Sequence, residues 1–348
     1  MNNDKRYYNK DRLFSYKAFL NASIGARGTG KTTCAKFWCV DDFLKTGKRF
    51  VWVRRYNTEL TGDKKKGIEG CVKDFFPKIQ KFYPKHEFSI KRNHAYIDGK
   101  DAGVFIALST SSAMKSVDFP DVNKIVFDEF LITKGSKYTY LNKEVKIFLD
   151  LISTVFRPIT DEFGKEAYTT RVWMLSNAIT FANDYFYYFN IKPFHSRFYH
   201  DKVKGIAIEQ YVNEVYEEAV RKTSFGKLIR GTEYEDYAVD NQYMLDNNDF
   251  ILKKSSDAVF LFNVRYEGQK WGIYADSNFV YVTYRIEPNM PFYVFTKADH
   301  SLDSLMIKSI RGTKFELLIR NYQLGLVMFD NLMIKKKFID FISLFVIK

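Results

Sequence analysis

Apolar residues in this chain fall into short runs separated by charge and glycine. Residues 18–24 form one such run, ending in a glycine-rich loop, and read as a strand. Residues 31–44 place Cys34, Ala35, Phe37, Trp38 and Leu44 at a helical spacing. Residues 50–53 are continuously apolar and bounded by charge, as in a parallel strand buried on both faces. The stretch 67–83 reads as a helix with a proline-marked end, and 88–108 as short strands around the turn Asp98-Gly99-Lys100. Residues 124–127, closed by Asp128-Glu129, and 172–175, followed by Ser176-Asn177, read as further buried strands. Between them, 142–156 carry a helical period at Val145, Phe148, Leu149, Ile152 and Val155.

Strand and helix thus alternate from about residue 18 to residue 190, which predicts an open, mostly parallel α/β sheet. After Pro193 the texture changes. Residues 209–221 are charged and helical in pattern, and 223–232 are loop-like with two glycines. From Ala258 onward strand-like alternation dominates. The expected fold class is α/β, with three parts: a larger, mostly parallel α/β domain over 1–205, a helical linker over 206–232, and a smaller strand-rich α+β domain over 233–348. The last apolar run, 338–347, is too short to span a bilayer and reads as a packed terminal helix or strand.

Charge changes the picture more than size does. The 348 residues carry a formal net charge of +13, which favours a polyanionic partner and salt-sensitive binding. Aromatic residues make up 18%, a share that a Phe-rich core explains as well as stacking on nucleic acid does. The three cysteines, Cys34, Cys39 and Cys71, form no C-x-x-C pair, so a zinc site is not expected and a reducing compartment is. The first twelve residues are polar, with no apolar signal core, and no membrane association is expected.

Gly25-Ala26-Arg27-Gly28-Thr29-Gly30-Lys31-Thr32 matches the G-x-x-x-x-G-K-[ST] phosphate loop, between a predicted strand and a predicted helix. Its backbone amides and helix N-terminus suit phosphate, and the contact set is read as extending to Thr33. Lys31 is expected on the β- and γ-phosphates of ATP, and Thr32 on Mg²⁺. About a hundred residues on, Asp128 is expected to help hold Mg²⁺ and Glu129 to polarise the attacking water. Asn177 stands where a polar sensor of the γ-phosphate would, or is an ordinary strand-end residue. Arg157 is either an arginine finger for a neighbouring subunit or a helix-end charge. Arg27 and the pair Arg54-Arg55 are basic candidates near the phosphates or ordinary surface charges; Arg54 and Arg55, with the loop lysines Lys64, Lys65 and Lys66, are also candidate DNA-backbone contacts. Asp240, Asp257, Asp276 and Asp303 are scattered and form no recognisable two-metal nuclease motif.

Several of these blocks together resemble the DNA-packaging (encapsidation) ATPases of small, protein-primed tailed podophages. They are I-G-A-R-G-T-G-K at 24–31, V-R-R-Y at 53–56, I-V-F-D-E-F at 125–130, T-V-F-R at 154–157, L-S-N-A at 175–178 and F-G-K-L-I-R-G-T-E-Y at 225–234. The resemblance implies an additional-strand ATPase related to the FtsK and HerA translocases, acting as a ring, expected to be a pentamer, at the portal vertex of a prohead in the host cytoplasm. It implies double-stranded DNA as cargo, the portal as partner, and in some relatives a structural RNA. It further implies a trans-acting Arg157 and, beside the subunit boundary, Lys115. By the same resemblance the C-terminal domain is RNase H-like without a nuclease centre. Asn57-Thr58 depart from the pattern, which expects a lysine and a proline there. The competing readings are another nucleic-acid translocase, a small-molecule kinase, or a packaging ATPase that retains nuclease activity.

Overall fold

The computed structural model describes residues 7–63, 67–132, 138–157, 170–177, 180, 182–191, 194, 196–232, 235, 249–295 and 313–345. In chain order its strands are β1 (Leu20–Gly25), β2 (Arg49–Arg54), β3 (Gly62–Asp63), β4 (Ile68–Glu69), β5 (Phe88–Lys91), β6 (His94–Ile97), β7 (Lys100–Ala107), β8 (Val122–Asp128), β9 (Arg171–Ser176), β10 (Phe198–Asp201) and β11 (Ile206–Tyr211), then β12 (Val259–Tyr266), β13 (Gln269–Ala275), β14 (Val280–Thr283), β15 (Phe292–Phe295) and β16 (Val327–Phe329). The helices are α1 (Asp11–Phe14), α2 (Lys31–Thr46), α3 (Asn57–Thr61), α4 (Glu144–Val155), α5 (Asp184–Tyr188), α6 (Glu214–Arg221), α7 (Ser224–Leu228), α8 (Lys314–Gln323) and α9 (Leu332–Ile342).

Nine strands form one sheet in the order β10-β11-β1-β9-β8-β2-β7-β6-β5. From β11 to β7 every pairing is parallel, and the antiparallel pairs lie at the two edges. The central strands are buried almost throughout, which is why they read as unbroken apolar runs. One strand, β9, separates β1 from β8. Its Trp173 is fully buried, donates through Nε1 to Ser23 Oγ at 2.9 Å, and packs against Phe14 and Trp38. One indole thereby holds α1 and α2 against the sheet. Cys34 and Cys39 lie buried on α2, and burial pushes their thiols up to about 11 and about 12.

Two expectations fail here. Residues 67–83 are not a helix: β3 and β4 pair as a short hairpin, turns follow, and only Gln80–Phe82 makes a 3₁₀ turn. The amides of Cys71 and Val72 donate instead to the carbonyls of Glu59 and Leu60, at 3.0 and 3.1 Å. A side chain at Gly70 would collide with the Leu60 carbonyl. Nor does a helical linker begin at 206. Residues 206–211 are β11, paired along β1, and the helix starts only at Glu214. The misleading residue is Glu209, whose charge is fully buried and accepts from Tyr8 Oη at 2.7 Å and from Arg197 at 2.6 and 2.9 Å. The loop-like stretch after it contains the short helix α7, capped by the Thr223 hydroxyl.

The chain divides into two compact units, Met1–Thr180 with Lys192–Leu245, and Phe181–Ile191 with Asp246–Lys348. The excursion of residues 181–191 into the second unit is held by α9: Lys336 Nζ donates to the Ala182 carbonyl at 2.8 Å, and Lys337 Nζ pairs with Asp184 at 2.6 Å. In the second unit the strand order is β15-β12-β13-β14-β16. Trp271, Phe338 and Phe341 sit in its core, and the run beginning at 338 is the buried end of α9. Among the described residues no helix is long and apolar enough to cross a membrane.

Trp173→Ala removes the indole that clamps both helices and leaves a large void. It is expected to cost about 3–5 kcal/mol, read as a shifted urea midpoint at unchanged slope.

Candidate active site

β1 ends at Gly25, paired with Tyr211 of β11, and a Cβ at Gly25 would stand 2.5 Å from the Tyr211 carbonyl. The chain then turns through Gly28 and Gly30, at φ 82° and 88°, and enters α2 with Gly30 as its N-cap. These left-handed positions are open to glycine at little cost, and they aim successive amides into one concavity. A cleft of about 270 Å³ opens there. Arg27 to Thr33 form one wall; Lys78, Asp128, Glu129, Leu175, Ser176 and Asn177 complete it.

Lys31 is buried, and its Nζ donates to the carbonyls of Gly25 and Ala26 at 3.0 and 2.7 Å. Burial pushes its ammonium down to about 7, with Asp128 opposing. Thr32 Oγ1 donates to Asp128 Oδ1 at 3.0 Å. Burial raises the Asp128 carboxyl above its ordinary value, against the pull of Arg54. Thr32 and Asp128 are adjacent hard oxygen donors at the head of the phosphate loop. That donor set fits Mg²⁺.

Glu129 follows directly, with a half-exposed carboxylate and a backbone φ of 58°. A non-glycine residue in that region is strained by about 1–3 kcal/mol, and such strain gathers at working sites. Two contacts enforce it: Phe130 N donates to the Leu175 carbonyl at 3.2 Å, and Arg55 Nη1 donates to the Glu129 carbonyl at 3.2 Å. Asn177 lines the cleft. Beside it the Ser176 hydroxyl is buried and has no hydrogen-bond partner among the described residues. An orphan hydroxyl in a phosphate-sized cleft is a ready donor to a phosphate oxygen or water.

The structure corrects the two arginines read as DNA contacts. Arg54 is buried: its Nη2 donates to Glu129 Oε2 at 2.7 Å and Glu59 Oε1 at 3.0 Å, and its Nη1 to Asp128 Oδ2 at 3.3 Å. Burial opposes its charge, but these carboxylates overrule it and keep the guanidinium protonated. Arg55 is 2% exposed and forms a two-pronged pair with Glu144 of α4, at 2.7 and 2.9 Å, while donating to the Phe130 carbonyl at 2.6 Å. Both are internal braces. An R-R pair after an apolar run looks the same in sequence whether it faces solvent or buried acids. Lys64, Lys65 and Lys66 lie outside the described residues.

Arg157 does not line this cleft. Its guanidinium donates to Asp118 at 2.7 Å and to the Lys115 carbonyl at 3.2 Å, and Lys115 pairs with Asp150 at 3.6 Å. The two candidate trans-acting cations therefore share one exposed patch. Sequence reading missed Lys78, Glu59 and the brace role of Arg54; nothing in residues 67–83 marks Lys78 without the fold. Of the scattered acids, Asp276 accepts from Asn278 N, Phe279 N and Tyr281 Oη and serves as a turn cap, while Asp240 and Asp303 lie outside the described residues.

The insertion of β9 between the loop strand and the acid strand decides the class: this is a phosphate-loop nucleotide-binding fold of the additional-strand type. The chain belongs to the podovirus DNA encapsidation protein (Gp16) family, whose sequence profile matches residues 2–345. It is 35% identical over 336 residues to the DNA packaging protein of Bacillus phage phi29, spanning 94% of this chain and 95% of that protein. The DNA packaging protein of Bacillus phage PZA is equally similar. A solved structure of the phage Phi-29 viral genome packaging motor assembly superimposes with a TM-score of 0.75 at 32% identity, covering 98% of this chain and 99% of that one.

Two outcomes follow. Arg55→Ala leaves Glu144 charged and buried, so it should cost about 3–5 kcal/mol in thermal unfolding, which a surface DNA contact would not. Phosphate beside Lys31 raises its proton affinity again, so binding of metal-free ATP takes up a proton above pH about 7. Affinity should be greatest below that pH and fall above it, by at most about ten-fold per unit, checked by calorimetry in buffers of different ionisation heat.

Proposed function

We propose that this chain is the ATP-hydrolysing subunit of a homo-oligomeric ring, in the family's manner a pentamer, that drives double-stranded viral DNA into a preformed prohead. It would act at the portal vertex in the host cytoplasm and be absent from the finished particle. The observation that carries the reading is the strained Glu129 beside Asp128, facing a phosphate loop across one cleft.

In this reading the loop amides and Lys31 hold the β- and γ-phosphates of ATP. Thr32 and Asp128 would hold Mg²⁺, which supplies charge neutralisation on the phosphates. Glu129 accepts a proton from the attacking water, with Asn177 and the Ser176 hydroxyl positioning that water or the γ-phosphate. Arg54 holds one oxygen of the Glu129 carboxylate, Oε2, at 2.7 Å, which leaves the other oxygen for the water. Arg157 and Lys115 lie on one patch away from this protomer's cleft, which supports their acting on a neighbour's nucleotide. The likeness to the packaging motor assembly supports the ring and the portal; a structural RNA partner rests on the family alone. With Arg54 and Arg55 engaged internally, Lys64, Lys65 and Lys66 remain as proposed DNA contacts.

We also read the domains as a motor unit and an RNase H-like unit. The run β14-β13-β12-β15, antiparallel across the first three and parallel between the last two, supports that fold, while β16 on the far edge departs from it.

The test is ATPase rate with and without long double-stranded DNA at low salt, for wild type and Glu129→Gln. DNA should stimulate the wild type. Glu129→Gln should lower turnover by about 10²–10⁴-fold with ATP binding retained. Turnover indifferent to both DNA and Glu129 would overturn the proposed motor mechanism and the role of Glu129.

A further inference from the structure

The cleft accounts for phosphates, metal and water but not for the base of a nucleotide. Its reactive end is set by Asp128, Glu129 and Asn177, at the ends of β8 and β9. A linear triphosphate with its γ-phosphate there must lead its sugar and base off the opposite flank of the loop. β1's neighbour on that flank is β11, which runs into Asn213, the N-cap of α6.

Two tyrosines stand there, brought by distant parts of the chain. The N-terminal segment crosses the loop: Tyr8 N donates to the Thr29 carbonyl at 2.9 Å, and the Tyr8 hydroxyl is anchored on Glu209 of β11 at 2.7 Å. This anchoring sets Tyr7 beside Gly30, with its ring edge 3.2 Å from where a Cβ would stand. From α6, the Tyr216 hydroxyl fills the space beside Gly28 so fully that any side chain there would collide with it. Burial first, and then the nearby Tyr7 phenol, raises the Tyr216 phenol above its usual range. Tyr7 is 55% exposed and Tyr216 half-buried. Neither lines the phosphate cleft.

We propose that Tyr7 and Tyr216 form the seat of the nucleobase, holding it by stacking; this rests on the nucleotide reading above. Every base presents a π face, so such a seat ranks nucleotides by ring size more than by edge chemistry, and purines bind ahead of pyrimidines. It also couples the base to the loop, because both rings lie against the loop's own glycines.

Dissociation constants for Mg–ATP, Mg–UTP and Mg–tripolyphosphate, measured on the full chain, test this with Tyr7→Ala, Tyr216→Ala and the two phenylalanine variants. Each alanine variant should bind ATP about ten-fold more weakly, narrow the preference for ATP over UTP, and bind tripolyphosphate as the wild type does. The phenylalanine variants should keep wild-type ATP affinity. The seat is overturned if the alanine variants leave ATP affinity unchanged. It is equally overturned if they weaken tripolyphosphate as much as ATP, which would make the tyrosines mere braces of the loop. A wild-type chain that binds neither ATP nor tripolyphosphate would remove the phosphate site itself, and the seat with it.

Discussion

One guanidinium organises the reactive end of this protein. Arg54, at the end of β2, bonds Asp128 and Glu129 at and just beyond the end of β8, and also Glu59 on α3. Three acids packed around one cation in a buried setting would repel one another if that cation were withdrawn. Glu59 is held a second way, accepting from the Tyr56 amide at 2.7 Å in the box that caps α3. Arg54 thus fixes the orientation of both carboxylates before any ligand arrives.

Two further features depend on this arrangement. Glu129 sits at positive φ because the chain must leave β8 abruptly to bring its carboxylate over the cleft, and Arg55 with Glu144 braces the turn from behind. The strain is stored by neighbours that are fully buried, so relaxing it would mean opening the core around α4. On the other side of the loop, Trp173 and Tyr8 tie the helix and the N-terminal segment to β1 and β11. The phosphate loop is therefore clamped from both flanks, and a nucleotide would bind to a surface largely formed in advance.

The charged groups of the first unit divide into those that serve the site and those that look as if they might. Lys31 and Asp128 are buried in opposition to their charge and face the cleft. Glu209 and Glu144 are just as buried but are neutralised by Arg197 and Arg55, with the Tyr8 hydroxyl also donating to Glu209, and they hold strands and a helix in place. Burial alone does not separate the groups; the direction of the partner does.

The phosphate loop, the acid pair and the alternation of buried strands with helices were legible in the sequence, because each is a local pattern. The phosphate loop carries glycine at its two left-handed positions, Gly28 and Gly30, where a side chain would be strained, and a strand buried on both faces reads as an apolar run. The family resemblance was legible too, through blocks such as 225–234 that no nucleotide motif demands. Tertiary structure alone decided the rest. Whether Arg54 and Arg55 met solvent or acid depended on residues 5 to 89 positions away. Whether 206–211 formed a linker or a central strand depended on partners for Glu209. Whether 67–83 formed a helix depended on the carbonyls of α3. Lys78, Tyr7 and Tyr216 carry no signature of their own and gain meaning only from the loop they approach. Backbone preference and burial period are written residue by residue, whereas the partner of a charge is set by packing.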